Sequence, residues 1–140
     1  MSAKDVARAA FEAWNRHDFA RLRELMHPEI SYTGGDGEEQ KGPDAGIALA
    51  EMYVRAFPDL RSDIVNIKEA GDTAIVEFVA SGTHKGELMG IAATGKPIKI
   101  RCCLVMETRD GKSYREREYF DNLTMMTQLG VVKDPTAAPV

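Results

Sequence analysis

The stretch SYREREYFDNL, residues 113–123, carries three carboxylates, Glu116, Glu118 and Asp121, interleaved with two arginines and two tyrosines. In water such groups are ordinary surface anions. Moved out of water, a carboxylate holds its proton more tightly and becomes a base that works near neutral pH. Such a base can take a proton from a carbon next to a carbonyl, or activate a water molecule. The question is which of the three faces an apolar interior.

Strand parity gives an expectation. Lys96 to Arg109 and Ser113 to Thr124 read as the two strands of a hairpin around Asp110-Gly111. A three-residue connection, Arg109-Asp110-Gly111 with Gly111 left-handed, sets Thr108 opposite Lys112. Opposed residues share a face, and faces alternate along each strand. One face then collects Ile98, Ile100, Cys102, Leu104 and Met106 with Tyr114, Glu116, Glu118 and Phe120. The other collects Lys99, Arg101, Cys103, Val105 and Glu107 with Arg115, Arg117, Tyr119 and Asp121. The first set is apolar apart from its two glutamates, so it is the inner face. Glu116 lies nearer the hairpin tip. Glu118 sits opposite or diagonal to Leu104 and Cys102 and is the candidate base. A slip of one residue would turn Asp121 inward instead. Otherwise Asp121 reads as a helix cap or as a surface partner of Arg101 or Arg117. The plainer reading of Glu118 is a buried carboxylate hydrogen-bonded to a backbone amide or a tyrosine.

The elements that must hold this hairpin come earlier in the chain. Ala3 to Arg16 has the apolar spacing of a helix, with Val6, Ala10, Ala13, Trp14 and His17 near one face. Asp18 can cap a second helix, Phe19 to Met26, ended by His27-Pro28. Ile30 to Thr33 is a short strand, and residues 34–39 form a polar, glycine-rich loop. After Pro43 a third helix runs to about Phe57, carrying Ile47, Met52, Tyr53 and Phe57. Leu60 to Glu69 and Thr73 to His84 are strands, and Gly86 to Gly95 is a loop. Three helices followed by a meander predict an α+β domain with helices covering one face of an antiparallel sheet. It spans 1–133, with 134–140 a loose Pro/Ala-rich tail.

Bulk properties exclude several classes. A chain of 140 residues fits one domain with a substantial core. The net charge of -4 argues against nucleic acid or an anionic membrane as the main partner. There is no apolar run long enough to span a bilayer and no secretory leader at the N-terminus. Cys102 and Cys103 are neighbours on one strand and point to opposite faces, so they do not pair. These features point to a reducing, cytoplasmic setting. No cofactor is called for. His17, His27 and His84 follow no ligand spacing, and Thr94-Gly95-Lys96 is too short for a phosphate loop.

Other residues have two readings each. His84 could tune Glu118 or bond a ligand, but a strand-end histidine that fixes the next loop is favoured. Tyr32 could steady an enolate oxygen. Trp14 reads as core. Met52, Met89 and Met106 could form an adaptable ligand wall or ordinary core. The expected cavity lining is Trp14, Met52, Phe57, Met89, Cys102, Leu104 and Phe120.

The segments EYFDNLTMMTQLG and GTHKGELMGIAATGK, with AFEAWNRHD and LMHPEISY nearer the N-terminus, resemble the SnoaL-like polyketide cyclases. That family shares a superfold with ketosteroid isomerase, scytalone dehydratase and limonene epoxide hydrolase. The resemblance covers nearly the whole chain. It implies a strongly bent antiparallel sheet wrapped by three helices into a cone around an apolar cavity. It also implies that the acid/base aspartate of the family falls on Glu118, as does the working carboxylate of the hydrolase branch. The assisting histidine falls on Leu104. Glu77 and Val79 stand where the hydrolase branch has Arg and a second Asp, and Tyr32-Thr33-Gly34 keeps only the tyrosine of its water site. The implied function is cofactor-independent acid/base chemistry on a small, apolar or aromatic carbonyl compound, of cyclase, lyase or isomerase type. Glu118 would be the base, with Tyr32 or His84 at the oxyanion. The alternative is a non-catalytic small-molecule binding or assembly module. The family's habit also implies a homodimer.

Overall fold

A computed structural model describes residues 1–133 and 136. Apart from Thr136, the stretch expected to be a tail lies outside the described residues. The elements in chain order are α1 (Ala3–Asn15), α2 (Phe19–Glu24), β1 (Met26–Thr33), β2 (Glu39–Lys41), α3 (Pro43–Ala56), β3 (Arg61–Ala70), β4 (Thr73–Thr83), β5 (Pro97–Arg109), β6 (Lys112–Phe120) and α4 (Asn122–Gln128). The architecture is α+β, as expected. One curved, open sheet runs in the order β2-β1-β6-β5-β4-β3.

Local chemistry explains the helix starts. Ser2 accepts from the amide of Asp5, and Asp5 accepts from the amide of Ser2, a reciprocal capping box for α1. Asp18 caps α2 through the amide of Arg21. Pro43 opens α3, just after Gly42 turns the chain at a φ of 89° that only glycine adopts freely. Val6, Ala7 and Phe11 of α1 are buried against the inner face of the sheet, where the Phe11 and Phe78 rings meet edge to face at 4.9 Å.

Two expectations about layout need correction. The sheet is not wholly antiparallel, because β1 runs parallel to β6, with Tyr32 beside Glu116 and Thr33 beside Arg117. A fourth helix follows the last strand, which ends at Phe120 and not at Thr124. Asp121 is the reason. Its carboxylate accepts from the amide and hydroxyl of Thr124, which stops the ladder and starts a helix whose Met125 reaches the core. Those bonds also hold the Asp121 carboxyl below its ordinary range. Asp121 is therefore a cap, and it does not face the interior. Asp121→Ala is expected to lower stability, read as a lower urea midpoint.

Candidate active site

The hairpin register shows how the carboxylates come to point inward. Arg109 pairs with Lys112, so the turn holds two residues, Asp110 and Gly111, at φ of 55° and 71°. The expected three-residue connection is not formed. A two-residue turn alone would set Glu118 opposite Cys103, on the charged face. The ladder instead shifts between Glu107 and Thr108: Thr108 pairs with Ser113 and Glu107 with Arg115. Tyr114 is the extra residue, a β-bulge. It leaves the inner face and packs at the hairpin end, edge-on to His27 and under the guanidinium of Arg109. After the bulge Glu116 stands opposite Met106 and Glu118 opposite Leu104. The burial alternates as required: Ile98, Ile100, Cys102, Leu104 and Met106 are buried, while Lys99 and Arg101 are exposed.

Both glutamates border an apolar cavity of about 190 Å³ under the curved sheet. α1 contributes Phe11 and Trp14, and β5 contributes Cys102 and Leu104. α3 contributes Leu49 and Tyr53, and Phe57, its C-cap, adds its ring. Glu116 and Glu118 keep some accessible surface, but it faces this cavity, and the surrounding protein desolvates both. Burial raises the Glu118 carboxyl, and the Tyr32 hydroxyl, donating to Oε2 at 2.8 Å, partly offsets that rise. Glu116 is pushed up to about 7, by burial first, with the Ser113 hydroxyl pulling it down and the charge of Glu118 pushing it further up. Burial and then Glu118 raise the Tyr32 hydroxyl too, so it stays protonated.

Tyr53 is a site residue that sequence reasoning placed on the helix without giving it a role. Its hydroxyl is pushed up to about 12, by burial and then by Glu118. Among the described residues it makes no hydrogen bond to protein, so its proton is free for a ligand. The signal was present: Gly46, Leu49, Ala50, Tyr53 and Phe57 follow helical spacing and all line the cavity. Trp14 also lines it, and its buried indole nitrogen lacks a partner among the described residues.

The structure sets three expected residues apart. His84 is fully buried but does not line the cavity. It stacks on Phe57, and its Nδ1 accepts from the amide of Thr94, with the Thr94 hydroxyl 3.0 Å away, which ties down the loop after β4. The reason is positional: the strand ends at Thr83, so His84 turns under the loop. Met89, with 64% of its surface exposed, is in that loop and faces solvent. Met52 packs against the core on a face of α3 turned from the cavity. Trp14, Phe57, Cys102, Leu104 and Phe120 do line it, as does Tyr32, whose hydroxyl is committed to Glu118. The Cys102 thiol is pushed up to about 12 by burial and then by Glu118, which makes it a poor nucleophile. Among the described residues no group of three or more His, Cys, Asp and Glu could hold a metal ion. No helix among them is long and apolar enough to cross a membrane.

Comparison with known proteins places these features in company. A family model described as SnoaL-like polyketide cyclase matches residues 4–129. The aklanonic acid methyl ester cyclase AcmA of Streptomyces galilaeus is 27% identical over 127 residues, covering 89% of this chain and 88% of that protein. The aklanonic acid methyl ester cyclase DnrD of Streptomyces peucetius is also 27% identical, over 129 residues, covering 90% of this chain and 89% of its own. Among solved structures, wild-type IdmH from Streptomyces antibioticus superposes with a TM-score of 0.82 at 28% identity, covering 94% of this chain and all of that one (100%).

Proposed function

Because this chain belongs to the SnoaL-like polyketide cyclase family, we propose that it is a cofactor-independent enzyme using Glu118 as acid/base on a small, apolar carbonyl compound. The observation that carries this reading is a desolvated carboxylate bordering an apolar cavity, fixed by a tyrosine. Glu118 takes a proton from the carbon next to a carbonyl. The resulting enolate closes on a second carbonyl or is reprotonated elsewhere, giving cyclase- or isomerase-type chemistry. Tyr32 orients Glu118, and the free hydroxyl of Tyr53 donates a hydrogen bond to the developing oxyanion. This assigns to Tyr53 the role that sequence reasoning gave to Tyr32 or His84.

Residues 1–133 act as one domain in this reading. The exposed Ile75 and Tyr119 on the outer face of the sheet are where a homodimer would form. A cytoplasmic setting fits the two free cysteines. The test is α-proton exchange of an enolisable ketone in heavy water by wild-type protein and Glu118→Gln. Exchange that survives the substitution would sink the proposal.

Leu104 at the position of the assisting histidine favours a second reading, a binding or assembly module in which Glu118 only holds a ligand. Such a module would be stabilised by ligands and return them unchanged after hours of incubation.

A further inference from the structure

We propose that Glu116 is a second catalytic residue of the cavity, the acid that protonates the carbonyl oxygen while Glu118 removes the α-proton. This rests on the reading of Glu118 as the base. The geometry behind it is a pair of carboxylates on one face of β6, two residues apart, both bordering the same apolar space. Among the described residues no Lys, Arg or His lines that space. The described titratable groups facing it are Glu116 and Glu118 from β6, Tyr32 from β1, Tyr53 from α3 and Cys102 from β5. None is a cation. Two carboxylates on a dry wall without a counter-charge cannot both ionise at low cost, so the pair carries one proton near neutral pH.

Tyr32 decides where that proton sits. Its hydroxyl donates to Glu118, which stabilises the anion there. The Ser113 hydroxyl offsets only part of the cost of burying Glu116, whose carboxyl is pushed up to about 7. Glu118 therefore ionises first and Glu116 holds the proton.

The proton inventory closes over a full cycle. The α C–H bond breaks and its proton goes to Glu118. The C–H electron pair becomes the C=C bond of an enol, and the carbonyl π pair moves to oxygen, which takes the proton of Glu116. The net charge of the pair stays at one negative charge, transferred from Glu118 to Glu116. The enol carbon then attacks a second carbonyl carbon and a C–C bond forms. The new alkoxide takes the proton from Glu118, and the enol O–H proton returns to Glu116. Both groups are back in their starting states, and no oxidant or reductant is consumed. A lone carboxylate beside a cavity could serve as base, but it would leave the carbonyl oxygen to a tyrosine too weakly acidic to give up its proton.

The first arm of the test needs no substrate. Side-chain carboxyl NMR titration of the wild type should show a glutamate titrating near neutrality. That signal should vanish in Glu116→Gln, return in Glu116→Asp as an aspartate signal, and persist at lower pH in Glu118→Gln. Loss of the neutral-range signal in Glu118→Gln with its retention in Glu116→Gln would place the proton on Glu118 and overturn the proposal. The second arm follows exchange of the α-protons of β-tetralone in heavy water. Glu116→Gln should slow it about a hundredfold and remove the fall in rate on the alkaline side of the pH profile. If Glu118→Gln abolishes exchange while Glu116→Gln keeps both rate and profile, Glu116 is not the acid although the base reading stands. If Glu118→Gln leaves exchange intact, the base reading itself fails and this proposal falls with it.

Discussion

Glu118→Gln is expected to lower turnover by about a hundred- to ten-thousand-fold, the span that a positioned general base contributes. Gln has nearly the shape of Glu, and its amide oxygen can still accept from Tyr32. The fold and the cavity should survive, so loss of rate with an unchanged or higher unfolding midpoint separates chemistry from stability. The wild-type pH profile carries the sign. A base works only when ionised, so the rate should rise as Glu118 loses its proton. Because burial raises the Glu118 carboxyl, that rise should fall above the ordinary carboxylate range. Tyr32→Phe is a companion test. It removes the hydrogen bond that holds Glu118 down, so the rising limb should move to higher pH. Steady-state rates across pH for the three proteins would read all of this. Turnover by Glu118→Gln at the wild-type rate would leave Glu118 a purely structural carboxylate.

The second large effect is on stability. Glu116 has a folded-state value near 7, against 4.5 when unfolded. Between those values the folded protein binds more protons than the unfolded chain, so stability falls as pH rises through that window and levels off above it. Below about pH 4.5 the group is protonated in both states and costs nothing. A shift of this size corresponds to about 3 kcal/mol. Glu118, raised in the same direction, adds to the trend. Glu116→Gln removes the ionisable group, so it should stabilise the protein by about 3 kcal/mol at pH 8 and by almost nothing at pH 4.5. Urea unfolding of both proteins at the two pH values measures it directly. Equal differences at both would show that Glu116 is not desolvated. A stabilising substitution at a functional carboxylate is what a site that trades stability for reactivity should display.

The hairpin shows how such a site is legible in sequence and where it is not. Its inner face was assigned correctly from the alternation of Ile98, Ile100, Cys102, Leu104 and Met106, because burial follows the two-residue period of a strand. The register was not. The turn is one residue shorter than expected and the bulge at Tyr114 adds one residue back, so two departures cancel in the choice of face. They do not cancel in position: Glu116 pairs with Met106, two residues nearer the turn than the Leu104 that the expected connection sets opposite it, and it shares the cavity with Glu118. Nothing at Tyr114 marks a bulge, since it is neither Gly nor Pro. The parallel pairing of β1 with β6 was also out of reach, because it joins segments far apart in the chain. Tyr53 could have been found from the spacing of the cavity face of α3, but its meaning depended on Glu118 lying across from it. Asp121 reads from the sequence as a cap or a surface ion-pair partner, and it is the cap, yet the expected strand runs past it, because residues 122–124 give no contrary period.

The single unpaired residue at Tyr114 has a further consequence for how this family can diverge. It acts on the strand as a frame acts on a coding message. Were Tyr114 paired into an uninterrupted ladder, Glu116 and Glu118 would swing out to solvent while Arg115, Arg117 and Tyr119 turned inward. Removing the residue keeps the frame, since Ser113 and Arg115 would then follow one another opposite Thr108 and Glu107, with Glu116 still opposite Met106. A lineage can therefore lose this residue and keep its acidic chamber, whereas a gain or loss that no bulge absorbs turns guanidinium groups inward in one step.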